Sequence, residues 1–112
     1  MIRPAVVRDI IDLYAKHGWV LRRVLLSAGS RAAVGSEAAS LFGDAAVIDS
    51  PFDAAWFSRP PADGPIAWEI RNLGDTPYAL VEHLDESSPD FENSLTDVGE
   101  RLVSAVSAKR SA

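Results

Sequence analysis

The residues best able to do chemistry lie in one stretch, DSPFDAAWFSRPPADGPIAWEIR, running from Asp49 to Arg71. Three of its carboxylates (Asp49, Asp53 and Glu69) lie near two tryptophans (Trp56 and Trp68) and two arginines (Arg59 and Arg71). Carboxylates that converge can bind a divalent cation through their oxygens. Glu69 and Arg71 are two residues apart, a spacing that puts both on one side of a strand. A glutamate on Mg²⁺ with a cation beside it would suit attack on a phosphate ester. Tryptophan next to arginine suggests a different use, because these two types are enriched among the strongest contacts of protein interfaces.

The carboxylate pattern resembles that of metal-dependent nucleases, in which an aspartate is followed on the next strand by Glu-x-Lys. Here position 71 is arginine, whose guanidinium does not deprotonate and so cannot act as a base. The Glu-x-Arg strand also leads into a hairpin rather than a helix. The carboxylates therefore read as charges on a solvated sheet face. A metal-dependent phosphodiesterase or small-ligand site built on Asp49, Asp53, Glu69 and Arg71 stands as the alternative. The candidate binding residues are Trp56, Arg59, Trp68 and Arg71.

Other catalytic patterns are missing from the sequence. It has no cysteine, which excludes disulfides and thiolate chemistry. Its two histidines are His17 and His83. Glu82 and His83 are adjacent on an expected strand and would project to opposite faces, so they cannot share a metal ion. No serine sits in Gly-x-Ser-x-Gly, and GSRAAVGS lacks both the P-loop and the dinucleotide-turn patterns. Nothing reads as haem, flavin or iron–sulfur ligation. The expectation is no catalytic residue, no metal and no cofactor.

The net charge of −5 is unevenly spread. Residues 1–31 carry six basic and two acidic side chains, residues 32–100 two basic and fourteen acidic, and the remainder three basic. An acidic middle is a poor surface for nucleic acid, which needs a basic field. The basic ends should mainly neutralise the middle within the fold. MIRPAVVRDIID has no unbroken apolar core of the kind a secretory signal needs, and no apolar run approaches a membrane span. A cytoplasmic chain with no membrane association is expected.

These residues must be positioned by a small number of elements. Pro4 to His17 carries an apolar stripe at helical spacing and stops at Gly18. Trp19–Ser27 reads as a strand, with Arg22 and Arg23 on opposite faces. Ser36 to Gly43 reads as a short helix with Ser36 as its cap. AAVIDS, DAAWFSR, IAWEIRN and YALVEHL read as strands joined by turns at PPADGP and LGDTP, forming an antiparallel meander. Ser88-Pro89 opens a final helix on which Phe91, Leu95, Val98, Leu102 and Val106 share a face, with fraying expected after Ala108. Gly99 weakens this helix, a cost that makes sense if something packs closely there.

The expected architecture is a single α+β domain over residues 1–112. It is a two-layer sandwich with a mainly antiparallel sheet of four to five strands, flanked by N-terminal and C-terminal amphipathic helices. The hairpin register stays open. Trp56 opposite Trp68 would put both indoles in the core, with Asp53 paired to Arg71. A shift by one residue would put Phe57 opposite Trp68 and leave Trp56 available to a partner. Functionally, the sequence points to a non-enzymatic protein-binding or assembly module, with a protein partner or self-association, including homodimerisation.

Overall fold

The computed structural model describes residues 2–60 and 65–111. The expected PPADGP turn therefore lies largely outside the described residues. The chain runs α1 (Pro4–Lys16), β1 (Val20–Leu26), α2 (Ala28–Val34), a 3₁₀ turn (Gly35–Glu37) and α3 (Ala38–Phe42). It continues through β2 (Ala46–Asp49), β3 (Ala54–Arg59), β4 (Ala67–Asn72) and β5 (Ala79–His83) to α4 (Phe91–Ser111). The strands form one sheet in the order β2-β1-β3-β4-β5. Among the described residues only β1 and β2 pair in parallel, and the helical crossover between them supplies the length that a parallel connection needs. The radius of gyration, 13.7 Å, is close to the roughly 13 Å of a compact chain of this length.

Local chemistry accounts for the element ends. Pro4 occupies the first turn of α1, where no intrahelical N–H is required. Gly18, at φ 84°, turns the chain into β1 in a conformation that side chains rarely adopt. The middle helical segment starts earlier than the sequence suggests. Ser27, not Ser36, is the cap, accepting a hydrogen bond from the Ser30 N–H. The α2 sequence, AGSRAAV, is small and weakly patterned, so its spacing carries little signal. At the other end of the chain, the Ser88 hydroxyl accepts from the Asp90 N–H in the turn that precedes α4. The helix then continues to Ser111, past the expected fraying point.

The α+β class and mostly antiparallel sheet match expectation, but the layering is three rather than two. Every residue of β3 from Ala54 to Ser58 is buried. Ala55 and Phe57 join a core with Val7, Val24, Leu26, Val34, Leu41 and Phe42, on the side of α1, α2 and α3. Ala54 and Trp56 join Trp68, Ile70, Phe91, Leu95, Val98 and Leu102, on the side of α4. The N- and C-terminal helices thus take opposite faces of the sheet. An unbroken buried run in a central strand requires cover on both sides.

The β3–β4 register pairs Trp56 with Ile70 and Ser58 with Trp68. This is two residues away from the Trp56–Trp68 register, so the same side chains stay on each face while Asp53 loses Arg71 as a partner. The two indoles meet diagonally, edge to face, with centroids 6.3 Å apart. Strand β1 departs from simple alternation as well. Its pairing with β3 skips a position between Leu21 and Arg23, and a bulge of this kind re-aims side chains. Both arginines consequently reach the α4 side. The Arg22 guanidinium lies 4.8 Å from the Trp68 ring centroid and Arg23 lies 5.7 Å from that of Phe91.

The five ion pairs found among the described residues each join an arginine of a basic end segment to a carboxylate of the acidic middle. They are Arg3–Asp75, Arg22–Glu86, Arg23–Glu92, Arg31–Asp49 and Arg101–Glu82. Arg23 grips Glu92 with two bonds of 2.7 Å. The hydrogen bond to Arg23 holds the Glu92 carboxyl below its ordinary range.

Gly99 answers the question its position raises. A Cβ built there would lie 3.4 Å from Cζ of Phe52, so the ring rests directly on the α4 backbone. One methyl group still fits at that distance. Gly99→Ala is expected to raise the urea midpoint, by up to about 1 kcal/mol in stability from helix propensity, with an unchanged m-value. Gly99→Leu must displace Phe52 and should lower the midpoint.

Candidate functional site

The four candidate binding residues divide between the two faces. Trp56 and Trp68 are on the α4 side, 2% and 1% exposed. Arg59 and Arg71 belong to the opposite face, by strand alternation. Arg59 packs over Trp19, 4.7 Å from the ring centroid, and donates to the His17 carbonyl at 3.1 Å. Trp19, which follows the turn at Gly18, is therefore the partner of Arg59. Arg71 donates to the carbonyl of Asn72 at 3.0 Å.

The three candidate carboxylates, Asp49, Asp53 and Glu69, are each held by a different group. Asp49 receives the Arg31 Nε–H at 2.6 Å. Asp53 receives the Ser27 N–H at 2.7 Å, tying the start of β3 to the cap of α2. Glu69 receives the Tyr14 hydroxyl. Among the described residues no three His, Asp or Glu side chains form a group able to hold a metal ion.

On the α4 side a groove of about 400 Å³ opens between the helix and strands β1 and β2. The sheet contributes Leu25 and Ile48, with Trp56 behind them, and the helix contributes Leu95, Thr96 and Gly99. Phe52 forms one end and Arg23 with Glu92 the other, while Glu100 stands on the helix side. The position follows from the fold. α4 packs against β4 and β5, so the β1–β2 half of this face has no helix above it. Ile48 is 39% exposed there. Trp56 thus serves two purposes, as a core side chain and as part of the groove lining. Alternation in β3 puts Trp56 on this face. The groove itself depends on where α4 lies, which the sequence pattern of α4 does not specify.

The opposite face holds a smaller cleft bounded by Leu13, Tyr14, His17, Trp19, Arg59 and Glu69. Tyr14 stacks on Phe57 with centroids 4.1 Å apart and lies edge-on to Trp19. Burial pushes the Tyr14 phenol well above its ordinary value, and the hydrogen bond to Glu69 adds to the effect. The phenol is a neutral donor throughout the physiological range, tethering α1 to β4. It is not poised to give up a proton.

The fold and groove together define a small three-layer α+β domain with a half-covered sheet face. Comparison with protein-family models, curated proteins and solved structures gives no match for this chain. No helix among the described residues is long and apolar enough to cross a membrane.

The Tyr14–Glu69 tether makes a directional prediction. A phenol whose value is raised on folding contributes stability that is fully present below the unfolded value of 10.0 and is lost as pH rises above it. Tyr14→Phe removes the bond to Glu69 and should cost roughly 1–3 kcal/mol at neutral pH. The variant should also lose less of its stability than the parent between pH 9 and about 11, as urea titrations across that range would measure.

Proposed function

We propose that this chain is a non-enzymatic protein-binding module that receives an apolar segment of a partner protein in the groove beside α4. The observation that carries this reading is the groove, an apolar cleft on a sheet half without a covering helix, with Ile48 exposed within it. Grooves of this kind take amphipathic helices by their apolar face. A helix laid beside α4 would cover Leu25 and Ile48 and complete the layer. Glu100 on the helix side has no ion-pair partner among the described residues, so a partner segment with flanking lysine or arginine fits better than an acidic one.

The alternative use of Asp49, Asp53, Glu69 and Arg71 as a metal-dependent phosphodiesterase or ligand site has less support. Each carboxylate is already engaged by a different group, and a shared ion would have to break all three contacts. The acidic balance of the middle segment likewise favours a protein partner over nucleic acid.

The test is a two-dimensional NMR titration with a panel of amphipathic helical peptides, leucine-faced and flanked by either lysine or glutamate. Shifts concentrated at Leu25, Ile48, Phe52, Leu95 and Gly99, stronger for the lysine set, are the expected result. Ile48→Asp should weaken binding about tenfold or more, since burying such a side chain contributes roughly 1.5–3 kcal/mol. If no peptide perturbs these residues at millimolar concentration, the reading fails.

A further inference from the structure

The two edges of the sheet differ in a way the groove does not explain. Strand β2 is four residues long, and the Arg31 guanidinium donates to the Val47 carbonyl while bonded to Asp49. That edge is short and partly capped by a charge, which is how native proteins protect edges. Strand β5, Ala79-Leu80-Val81-Glu82-His83, is one residue longer, and its one carboxylate, Glu82, is turned to the α4 side and paired with Arg101, leaving no charge on its outward backbone row. It contains no proline and no lysine, and it pairs with β4 without a register break. No strand lies on its other side among the described residues.

Two hydrogen bonds at the ends of β5 fix its backbone phase. Asn72 N–H donates to the Tyr78 carbonyl at 2.9 Å, and Leu84 N–H to the Ile66 carbonyl at 3.2 Å. In an antiparallel ladder the hydrogen-bonded pairs alternate, so Tyr78, Leu80, Glu82 and Leu84 direct their backbone groups toward β4. Ala79, Val81 and His83 direct theirs outward, each with one N–H and one C=O. The side chains of these same three residues are exposed, Val81 at 49%. They lie on the face carrying Glu69 and Arg71, beyond the cover of α1.

We propose that β5 pairs with β5 of a second copy of this chain, antiparallel about a two-fold axis through Val81, joining two sheets into one. This register follows from the strand itself. With Val81 opposite Val81, Ala79 opposes His83 and Leu80 opposes Glu82, so every outward N–H meets an outward C=O and no like charges face each other. Shifting the strands by two residues in one direction sets Glu82 against Glu82, where like charges directly opposite are destabilising. Shifting them the other way sets His83 against Pro77, which has no N–H to give. Glu82 is already neutralised on the other face by Arg101. A two-fold, isologous contact of this kind closes on itself rather than propagating into a fibre. The contact is separate from the groove, and either can hold without the other.

A pairing of one short strand lies at the small end of interface sizes, so a reversible dimer that grows with concentration is expected. Sedimentation equilibrium should give a mass rising from 12.0 kDa toward twice that value across the micromolar to millimolar range. Hydrogen exchange should show the Ala79, Val81 and His83 amides gaining protection over the same range. Val81→Lys, which sets two cations opposite each other, should return the chain to monomer. Val81→Pro should do the same, since the Val81 N–H makes no bond to β4. Circular dichroism and the exchange of the Leu80 and Glu82 amides check that each variant stays folded. Ile48→Asp should leave the dimer intact. A mass of 12.0 kDa at every concentration overturns the proposal, as does a dimer that survives Val81→Lys or leaves the Val81 amide unprotected.

Discussion

Trp56 and Phe57 are adjacent in the chain, and an extended backbone must send them to opposite sides of the sheet. Neither can be left in water without exposing a large apolar surface, worth roughly 1.5–3 kcal/mol or more for each side chain. The rest of the architecture follows from that pair. β3 must be central, with strands on both sides, and helices must cover both faces above it. α1, with the short α2 and α3, covers Phe57, while α4 covers Trp56. The chain bends its other elements to this requirement. The bulge in β1 is one example, since it carries Arg22 and Arg23 together to the α4 face, where their guanidiniums lie over Trp68 and Phe91.

The legible parts of the fold were those in which neighbouring residues carry the information. The inner part of the α1 stripe (Val7, Ile10, Ile11 and Tyr14), the stripe from Phe91 to Leu102 and the alternation of Trp68 and Ile70 depend only on local period and pack as the spacing predicts. Val6 and Leu13, at the margins of α1, are exposed. Features that depend on distant partners were not legible. α2 has no stripe of its own. It is held by the Ser27 cap and by the bonds that link Ser27 to Asp53 and Ser30 to the Ile2 N–H. The layer count could not be read from two amphipathic helices, because each stripe shows that a helix packs without showing which face of the sheet receives it. The hairpin register turned on a two-residue slip, which keeps every side chain on its face and therefore leaves the hydrophobic pattern unchanged.

The candidate site divides along the same line. The carboxylates stood out because they are close in sequence, yet folding gives each a partner from a different element: Arg31 for Asp49, Ser27 for Asp53 and Tyr14 for Glu69. Sequence proximity along two adjacent strands is no guarantee of convergence. The neutralisation of an acidic middle by basic ends, in contrast, is a property of charge balance over long segments. It survives folding well, as the arginine–carboxylate pairs show.

What remains exposed is a consequence of geometry. Five strands at about 4.8 Å spacing span roughly 20 Å, while one helix with its side chains is about 10 Å across. A single long helix on one face must leave half of that face bare. α4 lies toward β4 and β5, and the open half is therefore over β1 and β2. On the other face α1, α2 and α3 serve β1 and β3, with Tyr14 reaching Glu69 on β4, and the open part is over β5. The two bare regions are thus diagonal, one beside each edge of the sheet. The first is apolar and recessed, with Trp56 behind it. The second carries the exposed residues of β5, Ala79, Val81 and His83, beside Arg71. The groove and the outward row of β5 are thus surfaces that the placement of the helices leaves uncovered.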